Sequence, residues 1–533
     1  MSISLIEELS NEIFYEIFEY LDGSEIYQAF SNLNHRFQQL INCSSLLFKF
    51  NHDSLILDNT YKQFLLNHKH QIISFYMPNN DFFSSFSIDS SFYQLQSLSI
   101  YEISSSVLIS LLVNLSSLPR LVSLTIDAQD SLKDFTEVYR LIFILPKLKY
   151  IKCTGDEDDI SISLPIATNE QLSAIEYFII NHHCAFDTLC TLISYTPQLC
   201  HLSLLYLSDC DSDNEIILSV ILPNLTYLSI ESCNVTFENL EALIIESECN
   251  LKVLHVSFYY YYNVYFDDDP WEELIINYLP ELKKLHLEYR HDIDPESGSG
   301  SNFKPPDQFN SLFWNKHKWV LEVEMCGMEY HYTIHSYEKR WYDVDPCNEI
   351  SNSTRLKITF LPDDDYLMEF ELMICDLLAV TQIYHLEISK ENISSNIVLA
   401  LIQEFSALQT LRISSLVLYE SFIYDKNRRY KSAKNEITKV YLEKMSRIED
   451  IYFLLQHCPN VEYLKIGFLH KFYVELFFKD ILKAIKDDPN RYFRSLCFHI
   501  PTDDNVMIEK LKQMINGEQC LHDFTIKICY GND

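Results

Sequence analysis

The sequence predicts an α/β fold in which a solenoid of stacked strand and helix repeats follows a short helical N-terminal segment. The main observation is a six-residue apolar pattern, L-x-x-L-x-L, that recurs through most of the chain at near-equal steps. Between its copies, apolar residues follow the three- and four-residue spacing of amphipathic helices, as in residues 237 to 247. Residues 5 to 42 have helical spacing without a copy of the pattern, so they form a separate element.

Composition limits the classes to which the protein can belong. The chain has 533 residues, of which 47% are hydrophobic, and no apolar run approaches the roughly 18 residues of a membrane span. A net charge of −35 argues against a nucleic-acid partner, because such binding depends on lysine and arginine at phosphates. The 15 cysteines include no C-x-x-C pair, and the first residues lack a basic signal-peptide region. We therefore expect a cytoplasmic or nuclear protein without a disulfide framework.

The apolar pattern has eleven clear copies. Successive copies in the first group of eight lie 24 to 31 residues apart. The copies begin at Leu95, Leu121, Leu148, Ile175, Leu199, Leu225, Leu251, Leu282, Ile383, Leu408 and Val461, with weaker ones at Ile72, Ile437, Phe493 and Leu521. Many of the helical segments end at a proline, which stops the helix and begins the turn into the next copy. The repeats are thus expected to fill residues 71 to 533.

A long interval separates the copies at Leu282 and Ile383. Its 101 residues equal about four periods of 25, and it contains strand-like runs at 319 to 325 and 355 to 360. We therefore interpret residues 289 to 380 as decorated repeats and not as a separate domain.

The spacing within each copy predicts which side chains are buried. Positions 4 and 6 share one face of a short strand, and position 1 turns into the same interior. A strand and a helix about every 26 residues resemble the leucine-rich repeats of the longer, cysteine-containing type, and LTYLSIESCN at 225 to 234 matches their motif closely. The resemblance implies parallel strands on a concave face and helices on a convex face. Most other copies lack the final Cys or Asn, so the family's lateral hydrogen-bond ladder is not implied for them.

The N-terminal segment predicts two short helices separated by Asp22-Gly23. The first has a cap at Ser10 or Asn11. Its apolar residues are Leu9, Ile13, Ile17 and Leu21, and those of the second helix are Ile26, Phe30, Leu33, Phe37 and Leu40.

This segment resembles the F-box. The matching residues are Leu9, Glu12, Ile13, Ile17, Phe18, Tyr20, Leu21, Asp22, Leu33, Arg36 and Phe37. Two features depart from the family pattern: Ser10 replaces a proline, and the interval from Leu21 to Leu33 is one residue longer. The resemblance implies a three-helix domain at residues 1 to 45, joined through residues 46 to 70 to the repeats, that docks on a Skp1-like adaptor of a cullin-RING ubiquitin ligase. The adaptor-binding residues that it implies are Leu9, Ile13, Ile17, Phe18, Leu21, Leu33 and Phe37.

A plainer interpretation of the N-terminal segment is a helical cap on the first repeat, since solenoids need ends with a polar outer face. Two short helices with this many large apolar side chains cannot bury them all against each other. The excess apolar surface favours a partner.

The sequence contains no motif of catalytic or cofactor chemistry. It has no glycine-rich phosphate loop and no G-x-S-x-G elbow, and the spacing of Cys184, His182 and His183 fits no zinc site. We therefore expect a binding protein and not an enzyme, with no catalytic residues, metal ligands or cofactors.

Positions 3 and 5 of each copy point away from the interior, and we call the surface that they form the open face. Histidine, tyrosine and cationic side chains are enriched there, and Glu387 is the only acid at positions 3 and 5 of the eleven clear copies. Rings with polar groups and little rotamer entropy are typical of binding surfaces. The candidate substrate-binding residues are Tyr150, Lys152, Tyr177, His201, Tyr227, His255, Lys284 and His286.

These observations predict the substrate-recognition subunit of a Skp1-cullin-F-box ubiquitin ligase. The cations and histidines of the open face favour an acidic or phosphorylated protein substrate. The alternative is a leucine-rich-repeat interaction scaffold without a role in ubiquitin transfer.

Overall fold

The computed structural model forms two compact units, residues 1–259 with 271–284, and residues 260–270 with 285–533. It describes residues 9–43, 48–50, 59–77, 87–128, 133–155, 160–209, 220–258, 268–292, 309, 311–327, 329–337, 354–360, 374, 377, 382–418, 435–468, 480–481, 495–499, 509 and 513. In the described residues, no helix is long and apolar enough to cross a membrane.

Three short helices open the first unit: α1 (Asn11–Tyr20), α2 (Gly23–Phe30) and α3 (His35–Ile41). The second helix predicted from the sequence is in fact two, because the chain turns at residues 31–33 and the Asn34 side chain accepts a hydrogen bond from the Phe37 amide at 3.1 Å. The side chain of Asp22 caps α2 in a capping box with Glu25.

An aromatic core joins these helices. The Phe14 ring lies 4.8 Å from Phe37 and 6.3 Å from Phe30, and Phe18 lies 5.1 Å from Phe30. Edge-to-face pairs at these distances add stabilisation beyond the apolar area that they bury.

Among the described residues of the first unit, nine strands follow, and each is parallel to the next. The strands are β1 (Phe48–Phe50), β2 (Ile72–Met77), β3 (Ser97–Ile103), β4 (Ser123–Ala128), β5 (Tyr150–Thr154), β6 (Tyr177–Ala185), β7 (His201–Ser208), β8 (Tyr227–Asn234) and β9 (Val253–Phe258). The helices between them are α4 (Asn59–His68), α5 (Ser105–Leu115), α6 (Thr136–Phe143), α7 (Phe186–Ser194) and α8 (Phe237–Glu246). Helix α9 (Asp268–Tyr278) follows β9, and its residues from 271 onward belong to the first unit. The predicted alternation of parallel strands and helices is confirmed. Strand β1 lies within the predicted connecting segment 46–70, so the sheet begins before residue 71.

One hydrogen-bonding pattern recurs at every step from β3 to β9. The backbone carbonyl at motif position 2 accepts hydrogen bonds from the backbone amides at positions 2 and 3 of the next repeat. The carbonyl of Glu176, for example, accepts from the amide of Cys200 at 2.8 Å and from that of His201 at 3.0 Å. The same geometry at successive steps fixes the register. A one-residue slip would exchange the inner and outer faces of a strand.

The interior of the first unit is apolar where the resembled family has an asparagine ladder. Cys184, Leu207, Cys233 and Phe258 are register partners on consecutive strands, and all four are buried. The side chain of Asn234 donates instead to the Tyr206 hydroxyl at 2.8 Å. Packing of small and apolar side chains thus takes the place of the ladder along these strands.

A polar pair is buried behind β6. The Tyr139 hydroxyl and the His182 Nε2 atom are 2.6 Å apart, and His182 Nδ1 lies 2.8 Å from the carbonyl of His183. Both ring nitrogens of His182 therefore have partners. Burial lowers the pKa of His182 to about 4, so the ring is neutral at pH 7.

We expect His182 to make the first unit sensitive to acid. Between pH 6.5 and 4 the unfolded histidine takes up a proton that the buried ring excludes, so the free energy of unfolding falls by roughly 1 kcal/mol per pH unit. Urea unfolding at several pH values checks this. The variant His182→Gln should be less stable at pH 7.5 but lose stability less steeply on acidification, and equal slopes for both proteins would contradict the assignment.

The second unit contains the remaining strands. They are β10 (Lys284–Asp292), β11 (Trp319–Cys326), β12 (Glu329–Ser336), β13 (Thr354–Phe360), β14 (Ile383–Ile388), β15 (Ile393–Ser394), β16 (Thr410–Ile413), β17 (Leu416–Val417), β18 (Lys439–Met445), β19 (Tyr463–Phe468) and β20 (Ser495–His499). Its helices are α10 (Leu312–His317), α11 (Ser395–Glu404) and α12 (Ile448–His457). From β13 the main strands run parallel in the order β13, β14, β16, β18, β19 and β20.

An antiparallel strand interrupts the repeat pattern in the second unit. Strand β12 pairs antiparallel with both β10 and β11, while β11 is parallel to β13. Gly327, between β11 and β12, has a φ of 67°, a left-handed conformation that favours glycine. The decoration expected at residues 289–380 thus includes an inserted strand that the sequence analysis missed.

Candidate functional site

Four candidate residues form one row across the open face of the first unit. Tyr150 on β5, Tyr177 on β6, His201 on β7 and Tyr227 on β8 are consecutive register partners. The His201 ring stacks on Tyr227 with centroids 3.9 Å apart and an interplanar angle of 5°, and the Tyr177 ring lies 5.5 Å from His201. Tyr177 is the most exposed of the four, at 44%. We call Tyr150, Tyr177, His201 and Tyr227 the aromatic row.

The imidazole of His201 is half-buried between its neighbours. Burial lowers its pKa below the usual value of a histidine, so the ring is predominantly neutral at pH 7. This differs from the sequence-based expectation that the histidines of the open face are partly charged and attract an anion.

A second row lies beside the aromatic row. Lys152 on β5 is half-buried and interacts with the carboxyl of Asp127 on β4. Burial raises the pKa of Asp127 above its usual value, and Lys152 offsets part of that increase. His255 on β9 has the Ser229 hydroxyl at 3.3 Å and the Ser257 hydroxyl at 3.4 Å. Lys152 therefore has an acidic neighbour, and His255 lies among hydroxyl groups.

The last two candidates fall on either side of the division between the units. Lys284 is exposed and belongs to the first unit, and His286 is half-buried and belongs to the second. His286 is the register partner of His335 on the inserted strand β12.

The open face of the second unit carries a chain of ion pairs. Arg355 on β13 lies 3.1 Å from Glu322 on β11 and also pairs with Glu387 on β14. Arg412 on β16 lies 3.5 Å from Glu387 and also pairs with Glu443 on β18. The charges alternate in sign across five strands.

Tyr441, on β18 of this face, is covered by cations of the same unit. Lys465 Nζ lies 4.4 Å from the Tyr441 ring centroid, and the Arg412 guanidinium carbon lies 5.1 Å from it. His385, which was expected on the open surface, is buried with Nδ1 at 2.7 Å from the Thr410 hydroxyl.

These contacts reduce the positive charge that the open face of the second unit offers to a partner. Arg412 and Lys465 stand at outward motif positions, but Arg412 is paired with carboxylates and Lys465 lies over Tyr441. The sequence count missed Glu322 because its strand is not among the eleven clear copies, and Glu443 because it follows the last position of the weak copy at Ile437. In the described residues of the second unit, these two cations are thus engaged within the unit and give no support to the acidic or phosphorylated substrate predicted from the sequence.

The implied adaptor-binding residues occupy three environments. Phe18 and Phe37 are buried and hold the three helices together. Leu9, Ile17 and Leu21 are half-buried. Ile13 and Leu33 are 40% and 50% exposed, and Tyr20, at the end of α1, is 90% exposed. Helix α1 therefore has a buried apolar face at Phe14 and Phe18 and a second, partly exposed one that includes Ile13, Ile17 and Tyr20.

Arg36 ties the start of α1 to α3. Its guanidinium donates to the carbonyl of Leu9 at 2.5 Å and to the Asn11 side chain at 2.7 Å, and it lies 5.4 Å from the Phe14 ring centroid. Ser10, which stands where the F-box family has proline, has a φ of −70°. That value lies within the range that a proline ring imposes, so the substitution keeps the backbone conformation.

The described residues contain no group of three or more His, Cys, Asp or Glu side chains that could hold a metal ion. Burial raises the pKa of the Cys153, Cys233 and Cys458 thiols to about 12. These thiols remain protonated at pH 7, and a protonated thiol is a poor nucleophile.

The structure adds a polar cluster at the carboxyl end of β6, β7 and β8 that the sequence analysis missed. The His183 ring lies 4.8 Å from Tyr206, and His183 Nε2 is 3.1 Å from the Ser208 hydroxyl. The cluster falls beyond the six-residue motif, where β6 and β7 pair again after a register shift. The position of these residues relative to the motif was therefore not enough to predict the cluster.

No protein-family model matches the sequence, and no curated protein is similar to it. Among solved structures, one match is a leucine-rich-repeat protein of Leptospira interrogans. The two chains are 13% identical, and the match covers 85% of this chain and 96% of the other with a TM-score of 0.27.

Proposed function

We propose that the protein is the substrate-recognition subunit of a Skp1-cullin-F-box ubiquitin ligase. The three N-terminal helices dock a Skp1-like adaptor, and the open face of the first unit binds the protein substrate. Ubiquitin transfer belongs to other subunits, and this chain contributes no catalytic residue.

The observation that carries the adaptor role is the second apolar face of α1. Phe14 and Phe18 already supply the core of the three helices, so Ile13 and Tyr20 add nothing to it and remain exposed. Exposed apolar groups on a small helical unit are typical of a surface that a partner covers. The residues that match the F-box pattern include Ile13, Ile17 and Tyr20.

The double variant Ile13→Asp with Leu33→Asp tests the adaptor role. Both side chains are exposed, so the charges should leave the fold intact, whereas burying a charge at an interface costs several kcal/mol. We expect purified full-length protein to bind purified Skp1 and the double variant to lose at least about 100-fold in affinity. Ile144→Asp, on the first unit at 56% exposure, is the matched control and should bind normally.

The alternative is an interaction scaffold without a ligase role. Two departures from the F-box pattern support this alternative: Ser10, and the longer interval from Leu21 to Leu33. A folded wild-type protein that does not bind Skp1, or a double variant that binds it as well as the wild type, would favour the scaffold.

A further inference from the structure

One stretch of the repeats has an unusual charge composition. The 99 residues from Cys153 to Leu251 contain 16 aspartates and glutamates and no lysine or arginine. The chain average of 41 basic residues in 533 would place about eight there. This part of the first unit therefore carries fixed charge of one sign only.

The same stretch contains most of the aromatic row. Tyr177, His201 and Tyr227 lie on β6, β7 and β8, and the exposed carboxylate of Glu231 follows Tyr227 on the open face of β8. The helices that follow β6 and β8 add the exposed acids Asp187 and Glu238. The stacked rings thus stand in a negative field.

In the second unit, an outward-facing tyrosine is contacted by cations of the same sheet. There, Lys465 and Arg412 lie over the ring of Tyr441. Within the described part of the chain, no such cation lies over Tyr177 or Tyr227, whose ring contacts are with His201. Tyrosine faces attract lysine and arginine, and arginine also stacks on them in a planar arrangement.

We propose that the open face of β6 to β8 binds a lysine- or arginine-rich segment of the protein substrate, with cationic side chains on Tyr177 and Tyr227 and near Glu231. This inference rests on the proposed function in one respect, that the open face of the first unit recognises a protein. The neutral ring of His201 does not repel such a segment. The net charge of −35 attracts it from a distance and raises its rate of association.

The test measures the binding of two labelled synthetic peptides to the full-length protein by fluorescence anisotropy. One peptide contains lysine, arginine and glycine, and the other has glutamate at every basic position. A strongly acidic protein attracts any basic peptide weakly. Pairs of variants, one on the open face and one elsewhere, therefore show whether the peptide binds at the open face. Tyr177→Ala is paired with Tyr278→Ala, since the two tyrosines are 44% and 45% exposed and Tyr278 ends helix α9. Glu231→Gln is paired with Glu246→Gln on helix α8.

We expect the basic peptide to bind and the acidic peptide not to bind. Tyr177→Ala and Glu231→Gln should each weaken binding about three- to tenfold, and both controls should stay within about twofold of the wild type. The proposal is overturned if the acidic peptide binds as well, if the basic peptide does not bind, or if the controls weaken binding as much as the face variants. Skp1 binding is measured separately with the same protein preparations. A loss of Skp1 binding can then be distinguished from a loss of peptide binding at this site.

Discussion

Leu228→Asp is expected to unfold most of the first unit, whereas Tyr227→Asp beside it should leave the unit folded. Leu228 is 1% exposed and lies in register between Leu202 and Leu254 on the neighbouring strands. A carboxylate at this position loses the buried apolar contacts and is desolvated without a partner, at a cost of several kcal/mol. Such a cost is comparable to the 5–15 kcal/mol that stabilises an ordinary domain.

Tyr227→Asp has a smaller cost. Tyr227 lies on the open face, and its main contact is the stacked ring of His201, so its loss should cost about 1 kcal/mol. Circular dichroism at 222 nm during thermal unfolding compares the two variants with the wild type. Equal tolerance of both would contradict the strand register, because a slip of one residue exchanges the two faces.

Arg355→Met is expected to destabilise the second unit by about 2–3 kcal/mol, because it removes the cation that two partly buried carboxylates share. Arg355 Nη1 lies 3.1 Å and 3.2 Å from the two carboxylate oxygens of Glu322, and Nη2 pairs with Glu387. Burial alone would lower the pKa of Arg355, but the two carboxylates raise it above the usual value. Without the guanidinium, Glu322 and Glu387 lose the cation between them, and Glu387 keeps the more distant Arg412 at 3.5 Å.

Two further variants locate the cause of this loss. Lys357→Met removes a neighbouring ion pair with Glu324 that is more open to solvent, and it should cost less than about 1 kcal/mol. Adding Glu322→Gln and Glu387→Gln to Arg355→Met removes the unpaired charges and should restore most of the lost stability. Chemical denaturation of the four proteins gives the comparison. A triple variant no more stable than Arg355→Met would show that packing, and not unpaired charge, is what the substitution disturbs.

The sequence was most informative where the repeat pattern is regular. Leu228 inside and Tyr227 outside followed from a period of two within a motif that recurs about every 26 residues. The strands at 319–325 and 355–360 were also predicted, and the structure places β11 and β13 there. The inserted strand β12 was missed because it alternates in polarity without the six-residue pattern.

The composition of the open face was less predictable. Glu322, Arg355 and Glu387 are about 32 residues apart in sequence and become neighbours only when their strands pair. A count over clear motif copies left out Glu322 and Glu443, so it overestimated the free positive charge. His385 occupies an outward motif position but is buried by its neighbours, since exposure depends on adjacent strands as well as on alternation.

Photo-crosslinking from the open face tests most directly whether this surface binds a protein. Benzoylphenylalanine at position 177 replaces an exposed tyrosine of the aromatic row, and the same group at position 144 replaces an exposed isoleucine after helix α6 as a control. After irradiation in cells, mass spectrometry identifies the crosslinked peptides. We expect a discrete adduct from position 177, absent from position 144, whose crosslinked segment is rich in lysine or arginine. The same adducts from both positions, or none from position 177, would contradict the assignment of this face as the binding surface.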